Sequence, residues 1–109
     1  MCGAHGGGYL PSYFQRTEVA CDVRANAMCA NKLRPREYLK RNILADTMVL
    51  SDEGLRHLVA EMGVDRIVYG TDNPLNWPVP VDLIADATFL TLAQKQQILN
   101  GNLTKLLKL

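Results

Sequence analysis

The chain of 109 residues contains no apolar run approaching the roughly 20 residues that a membrane helix requires. Its opening, Met1-Cys2-Gly3-Ala4-His5, lacks the basic and apolar segments of a signal peptide. Neither sign of charge dominates: 12 Lys and Arg stand against 11 Asp and Glu, a formal net charge of +1. That balance excludes a global field for nucleic acid or acidic lipid. Cysteine is sparse, with Cys2, Cys21 and Cys29 forming no C-x-x-C pair and leaving one unpaired in any disulfide scheme. A reduced, cytoplasmic chain with no membrane contact is the expectation, with Cys21 and Cys29 as small apolar fillers or bystanders. No internal repeat, linker or low-complexity tract divides the chain. What remains is 48% apolar and 21% charged, an ordinary globular composition. Residues 1–109 are expected to form one small domain or a piece of a larger one.

The order of local signals carries more. The glycine cluster Gly6-Gly7-Gly8 begins so early that a preceding strand has almost no room. Residues 11–24 form an irregular helical segment, with Pro11 in its first turn, and residues 26–33 have no period and are expected to be loop. Pro35 restarts a short helix, and the apolar run Ile43–Val49 is expected to be a buried strand. Ser51 suits an N-cap and Gly63 a C′ position. Between them Leu55, Leu58, Val59 and Met62 share one helix face. Residues 66–70 are expected to form a second buried strand, and 81–87 a helix. Thr91-Leu92-Ala93-Gln94 is a capping box opening a helix to Leu99, which Gly101-Asn102 is expected to break before a last short helix. Strands alternating with helices indicate βα units and a parallel sheet. A complete (β/α)8 barrel takes about 250 residues, so this chain holds roughly three units and cannot close a barrel alone.

Functional groups in α/β folds collect at the carboxyl ends of parallel strands. Two such ends stand out: His5 before three glycines, and Asp72 before Asn73-Pro74. Imidazole and carboxylate are common ligands of hydrolytic zinc or manganese sites. Each has a bland alternative, His5 as part of a flexible glycine turn and Asp72 as a turn or cap aspartate. His57 lies opposite the apolar face of its helix and is expected to be solvated.

Taken in order, Ala4-His5-Gly6-Gly7-Gly8, Pro11, Arg16, Tyr38-Leu39-Lys40-Arg41, Asp46-Thr47, residues 63–74 (G-V-D-R-I-V-Y-G-T-D-N-P) and Gly101-Asn102 form a series. It resembles the C-terminal part of the amidohydrolase-related proteins typified by aminocarboxymuconate semialdehyde decarboxylase. The resemblance implies a metal-dependent TIM barrel acting on a small, often aromatic-derived organic acid. It implies His5 and Asp72 as ligands of a divalent metal (zinc, with manganese as the alternative) and Asp72 as a catalytic proton carrier. Arg16 matches a frequent arginine and is expected to pair with a substrate carboxylate; a structural ion pair is its other reading. Two departures accompany the match. The family's N-terminal H-x-H pair is absent, so His5 and Asp72 alone should hold a metal weakly. Leu50 also stands where related decarboxylases commonly place a catalytic histidine, which leaves hydrolysis beside decarboxylation.

Rival chemistries are weaker. His-Gly-Gly-Gly also occurs in esterase oxyanion loops, but Ser12 and Ser51, the two serines, are not flanked as a nucleophile elbow requires. No phosphate-loop spacing follows the glycines. Lys32, Arg34, Arg36, Lys40 and Arg41 are expected to be a solvated helix face. The chain is therefore expected to be either part of a metal-dependent hydrolase or carboxy-lyase, inactive by itself, or a truncated, inactive chain acting through association. An open sheet leaves edges uncovered, so the isolated chain is expected to aggregate, form a homo-oligomer or stay partly molten.

Overall fold

The computed structural model describes residues 1–24, 30–78 and 80–109. Three parallel strands form one sheet in the order β1 (Cys2–Gly3), β2 (Leu44–Asp46), β3 (Ile67–Val68). Cys2 pairs with Leu44 and Gly3 with Ala45, while Ala45 and Asp46 pair with Ile67 and Val68. The two-residue β1 fits into the room that the sequence leaves before the glycines, which by the local signals is almost too little for a strand. Two residues suffice because β2 supplies its ladder, the Leu44 amide donating to the Met1 carbonyl at 2.8 Å. All three strands therefore end at the same edge of the sheet, where the groups that follow them meet.

Helices α1 (Leu10–Val23) and α2 (Pro35–Asn42) connect β1 to β2, and α3 (Asp52–Met62) connects β2 to β3. Ser51 caps α3, its hydroxyl accepting from the Gly54 amide at 3.0 Å, and Gly63 ends the helix in left-handed backbone at φ 87°. After β3 come α4 (Pro80–Asp86), α5 (Leu92–Gln96) and α6 (Asn102–Leu107). The Thr91–Gln94 capping box forms as the sequence suggests.

Gly101-Asn102 does not break the last helix, contrary to expectation. A π-helical turn (Gln97–Gly101) joins α5 to α6, with Gly101 in right-handed backbone. The reason is that Asn102 has work inside the fold. Its amide nitrogen donates to the carbonyls of Val64 (2.8 Å) and Ile67 (2.6 Å), and its oxygen accepts from Gln97. A π-turn shifts helical phase enough to aim one polar side chain inward, its common use.

The core gathers Leu39, Leu55, Leu58, Met62, Ile67, Ile84 and Ile98. Arg34 pairs with Asp22 and Glu18, Arg36 with Glu61 at 3.1 Å, and Arg41 with Glu37. Three of the five cations in the basic stretch thus have acidic partners, which fits a helix face and not a phosphate-binding patch. The Arg34 guanidinium holds the Asp22 carboxyl below its ordinary range.

Glu18 is the buried member of this network, accepting from the Arg36 amide (2.6 Å) and Arg34 Nε (3.1 Å). Removing it orphans a backbone donor and strips Arg34 of a partner. Glu18→Ala is expected to lower the unfolding free energy by about 2 kcal/mol, measured by urea denaturation. A change under about 0.5 kcal/mol would show that water replaces the carboxylate at no cost.

Cys21 is disulfide-bonded, which corrects the expectation of three reduced cysteines. The absence of C-x-x-C spacing excludes only the tightest pairing. Cys2 is a free, exposed thiol whose pKa is raised, first by partial burial and second by the Asp46 charge. Cys29 lies outside the described residues. Among the described residues no helix is long and apolar enough to cross a membrane.

Candidate metal centre

His5 follows β1, Asp46 ends β2, and Asp72 follows β3, so the parallel sheet delivers all three to one edge. His5 Nε2 and Asp72 Oδ1 lie 3.3 Å apart although 67 positions separate them in the chain. Their side chains are 64% and 26% exposed, respectively, so both remain open to an incoming ligand.

That separation is a hydrogen-bond length and also a ligand spacing. Two donors about 2.1 Å from one tetrahedral ion stand about 3.4 Å apart. The distance between the two donors is therefore compatible with neighbouring positions of one metal shell. Among the described residues no cluster of three His, Cys, Asp or Glu side chains is suited to hold a metal. Asp46, the carboxylate at the end of β2, is already committed. Its Oδ2 accepts from the His5 amide (3.0 Å) and its Oδ1 from the amides of Gly6 (2.8 Å) and Met48 (3.0 Å).

The pair opens into a cavity of about 300 Å³ lined by His5, Met48, Leu50, Asp72, Leu75 and Trp77. Apart from the two ligand candidates its walls are apolar, and Trp77 supplies the aromatic surface. Three wall residues hold left-handed backbone although none is glycine: His5 (φ 55°), Leu50 (φ 56°) and Asp72 (φ 52°). Such conformations are uncommon outside glycine and concentrate at functional sites. The glycines nearby have a steric reason as well. A Cβ on Gly6 would come within 2.3 Å of Val49 Cγ1, and Gly6 itself has φ +66°.

The structure brings His5 and Asp72 together and leaves Arg16 apart. Arg16 is exposed on α1, does not line this cavity, and makes no ion pair among the described residues. His57 is exposed, its Nε2 lying 3.1 Å from Ser12 Oγ, and belongs to the α1–α3 contact. The sequence reading overlooked the cavity walls and the role of Asp46. The signal for Asp46 was available, since an Asp-Thr pair inside an apolar strand must find partners for its polar atoms.

No family model matches the chain. A 2-amino-3-carboxymuconate-6-semialdehyde decarboxylase from Dictyostelium discoideum is 35% identical over 113 residues, covering all of this chain and 31% of that protein. Over its whole length the chain is thus similar to part of a decarboxylase. A 5-carboxyvanillate decarboxylase from Novosphingobium aromaticivorans, solved with bound manganese and a nitrobenzoic acid, superposes with a TM-score of 0.83 at 25% identity. That alignment covers 99% of this chain and 33% of the other. A 5-carboxyvanillate decarboxylase from Sphingomonas paucimobilis gives a TM-score of 0.86 at 23% identity over 99% of this chain and 33% of its own, a likeness of fold. The chain spans about a third of the length of the proteins it matches.

Proposed function

We propose that the chain, residues 1–109, is the C-terminal portion of a metal-dependent (β/α)8 barrel enzyme. The parent is a carboxy-lyase or hydrolase acting on a small organic acid. The observation that carries the reading is the 3.3 Å approach of His5 Nε2 to Asp72 Oδ1 at the carboxyl edge of a parallel sheet. His5 and Asp72 would hold the divalent ion. Zinc suits their nitrogen–oxygen donor set, and manganese, present in the Novosphingobium protein, suits it as well. When bound, such an ion acts as a Lewis acid toward a substrate oxygen or activates water.

The chain's own residues divide the remaining work. Asp72 Oδ1 faces His5, whereas Oδ2 accepts no protein hydrogen bond among the described residues and is available to take or return a proton. Trp77, Leu75 and Met48 offer an apolar wall against which the flat body of an organic acid excludes water. Arg16 enters the proposal as a contact for a substrate carboxylate lying outside this cavity. Leu50 lines the cavity, at the position where the family resemblance implies a histidine. That observation keeps hydrolysis beside decarboxylation.

With two donors, the isolated chain is expected to bind metal weakly and to turn nothing over. A cytoplasmic, homo-oligomeric parent belongs to the same proposal, and the disulfide at Cys21 is the feature that counts against the cytoplasm. Calorimetric titration with Mn²⁺ and with Zn²⁺ tests the centre. The expected result is one weak site, with affinity reduced at least tenfold in His5→Ala and in Asp72→Ala. Binding unchanged in both variants, or no binding to the unmodified chain at millimolar metal, would overturn the metal reading.

A further inference from the structure

We infer that Asp46 and Thr47 are positioning residues. They form a clip at the end of the central strand that holds the two flanking strand ends and thereby sets the His5–Asp72 distance. This inference rests on the metal-centre reading for its functional meaning, though not for its geometry.

The two residues work in opposite directions along the sheet edge. Toward β1, the Asp46 carboxylate receives the amides of His5 and Gly6 and fixes the backbone on which the His5 imidazole stands. The third amide it receives, from Met48, ties the carboxylate to its own strand end. Toward β3, the fully buried Thr47 exchanges two hydrogen bonds with Gly70. Its Oγ1 donates to the Gly70 carbonyl at 3.3 Å and accepts from the Gly70 amide at 3.2 Å. Gly70 lies just ahead of Thr71 and Asp72. Neighbouring side chains on one strand thus grip both partners across the sheet.

The grip explains two further facts. His5 and Asp72 hold left-handed backbone, which survives only where surrounding contacts over-determine it. Gly70 has ordinary backbone angles, yet a Cβ there would stand 2.9 Å from the Asp46 Cβ. Its lack of a side chain keeps room for the Asp46 carboxylate. Groups behind metal ligands commonly change affinity by about 10- to 100-fold when lost.

The test uses the unmodified chain and four variants. Asp46→Asn turns an NH₂ group toward either the His5 amide or the Gly6 and Met48 amides. Thr47→Val keeps shape and removes the hydroxyl, and Thr47→Ser restores it. Gly70→Ala alters no polar group but presses on Asp46. Two readouts are taken: the nuclear Overhauser contact between the His5 ring and the Asp72 β-protons in the metal-free chain, and Mn²⁺ affinity by calorimetry. Asp46→Asn, Thr47→Val and Gly70→Ala are expected to lose the contact and weaken Mn²⁺ binding by about tenfold or more. Thr47→Ser is expected to keep both. A residue with a merely structural role would lower the melting temperature while the folded variant kept contact and affinity. That outcome in Asp46→Asn and Gly70→Ala overturns the clip. If the unmodified chain shows the contact but binds no Mn²⁺, the metal reading fails alone and the contact still judges the clip.

Discussion

Asn102→Ala is expected to lower the unfolding free energy of the isolated chain by about 3 kcal/mol. The Asn102 amide nitrogen satisfies the carbonyls of Val64 and Ile67 together, one leading into β3 and the other within it. Alanine takes a donor from both acceptors. The Val64 carbonyl keeps the Ile67 amide, so the loss falls on the buried Ile67 carbonyl, and an unsatisfied buried acceptor costs about 1–3 kcal/mol. Small domains hold only about 5–15 kcal/mol in total, so this one amide is a large share of the margin. Urea denaturation followed by circular dichroism measures the effect. A loss below about 1 kcal/mol would mean that water reaches the carbonyls from the neighbouring cavity lined by Gln97, Asn102 and Lys105.

The second large effect concerns Leu50. Leu50→His is expected to tighten Mn²⁺ or Zn²⁺ binding by about tenfold, about 1.4 kcal/mol. Leu50 lines the same cavity as His5 and Asp72, so an imidazole there supplies the third donor that the described residues lack. Histidine is also better tolerated than leucine in left-handed backbone, and Leu50 has φ 56°. The gain in affinity should therefore come without loss of stability. Calorimetric titration reads the first part and thermal melting the second. Unchanged affinity in a folded Leu50→His chain would show that a side chain at position 50 does not reach the ion.

How far the sequence revealed these features depends on the range over which each is specified. The caps of α3 and α5 are local, and Ser51 and Thr91 announce them unaided. The approach of His5 to Asp72 is legible through the distinctive motif around each and the resemblance those motifs carry. Strand β1 was not foreseeable, since two residues carry no period and their pairing is supplied by β2. The continuous helix through Gly101-Asn102 departs from the local signal for a related reason. Glycine followed by asparagine favours termination locally, and the two buried carbonyls that reward Asn102 are brought there by the fold. The bridge at Cys21 likewise escapes, because the lack of a C-x-x-C motif does not exclude a pairing.

The dihedral angles at positions 5, 50 and 72 have a bearing on how such a rim diversifies. Backbone of that hand tolerates glycine, asparagine, aspartate and histidine far better than aliphatic side chains. Two of those four are also common metal-coordinating side chains. Chain geometry alone therefore biases random substitution at the rim toward coordinating groups, before any selection for catalysis acts. An aliphatic residue such as Leu50 is the costly choice for backbone of that hand.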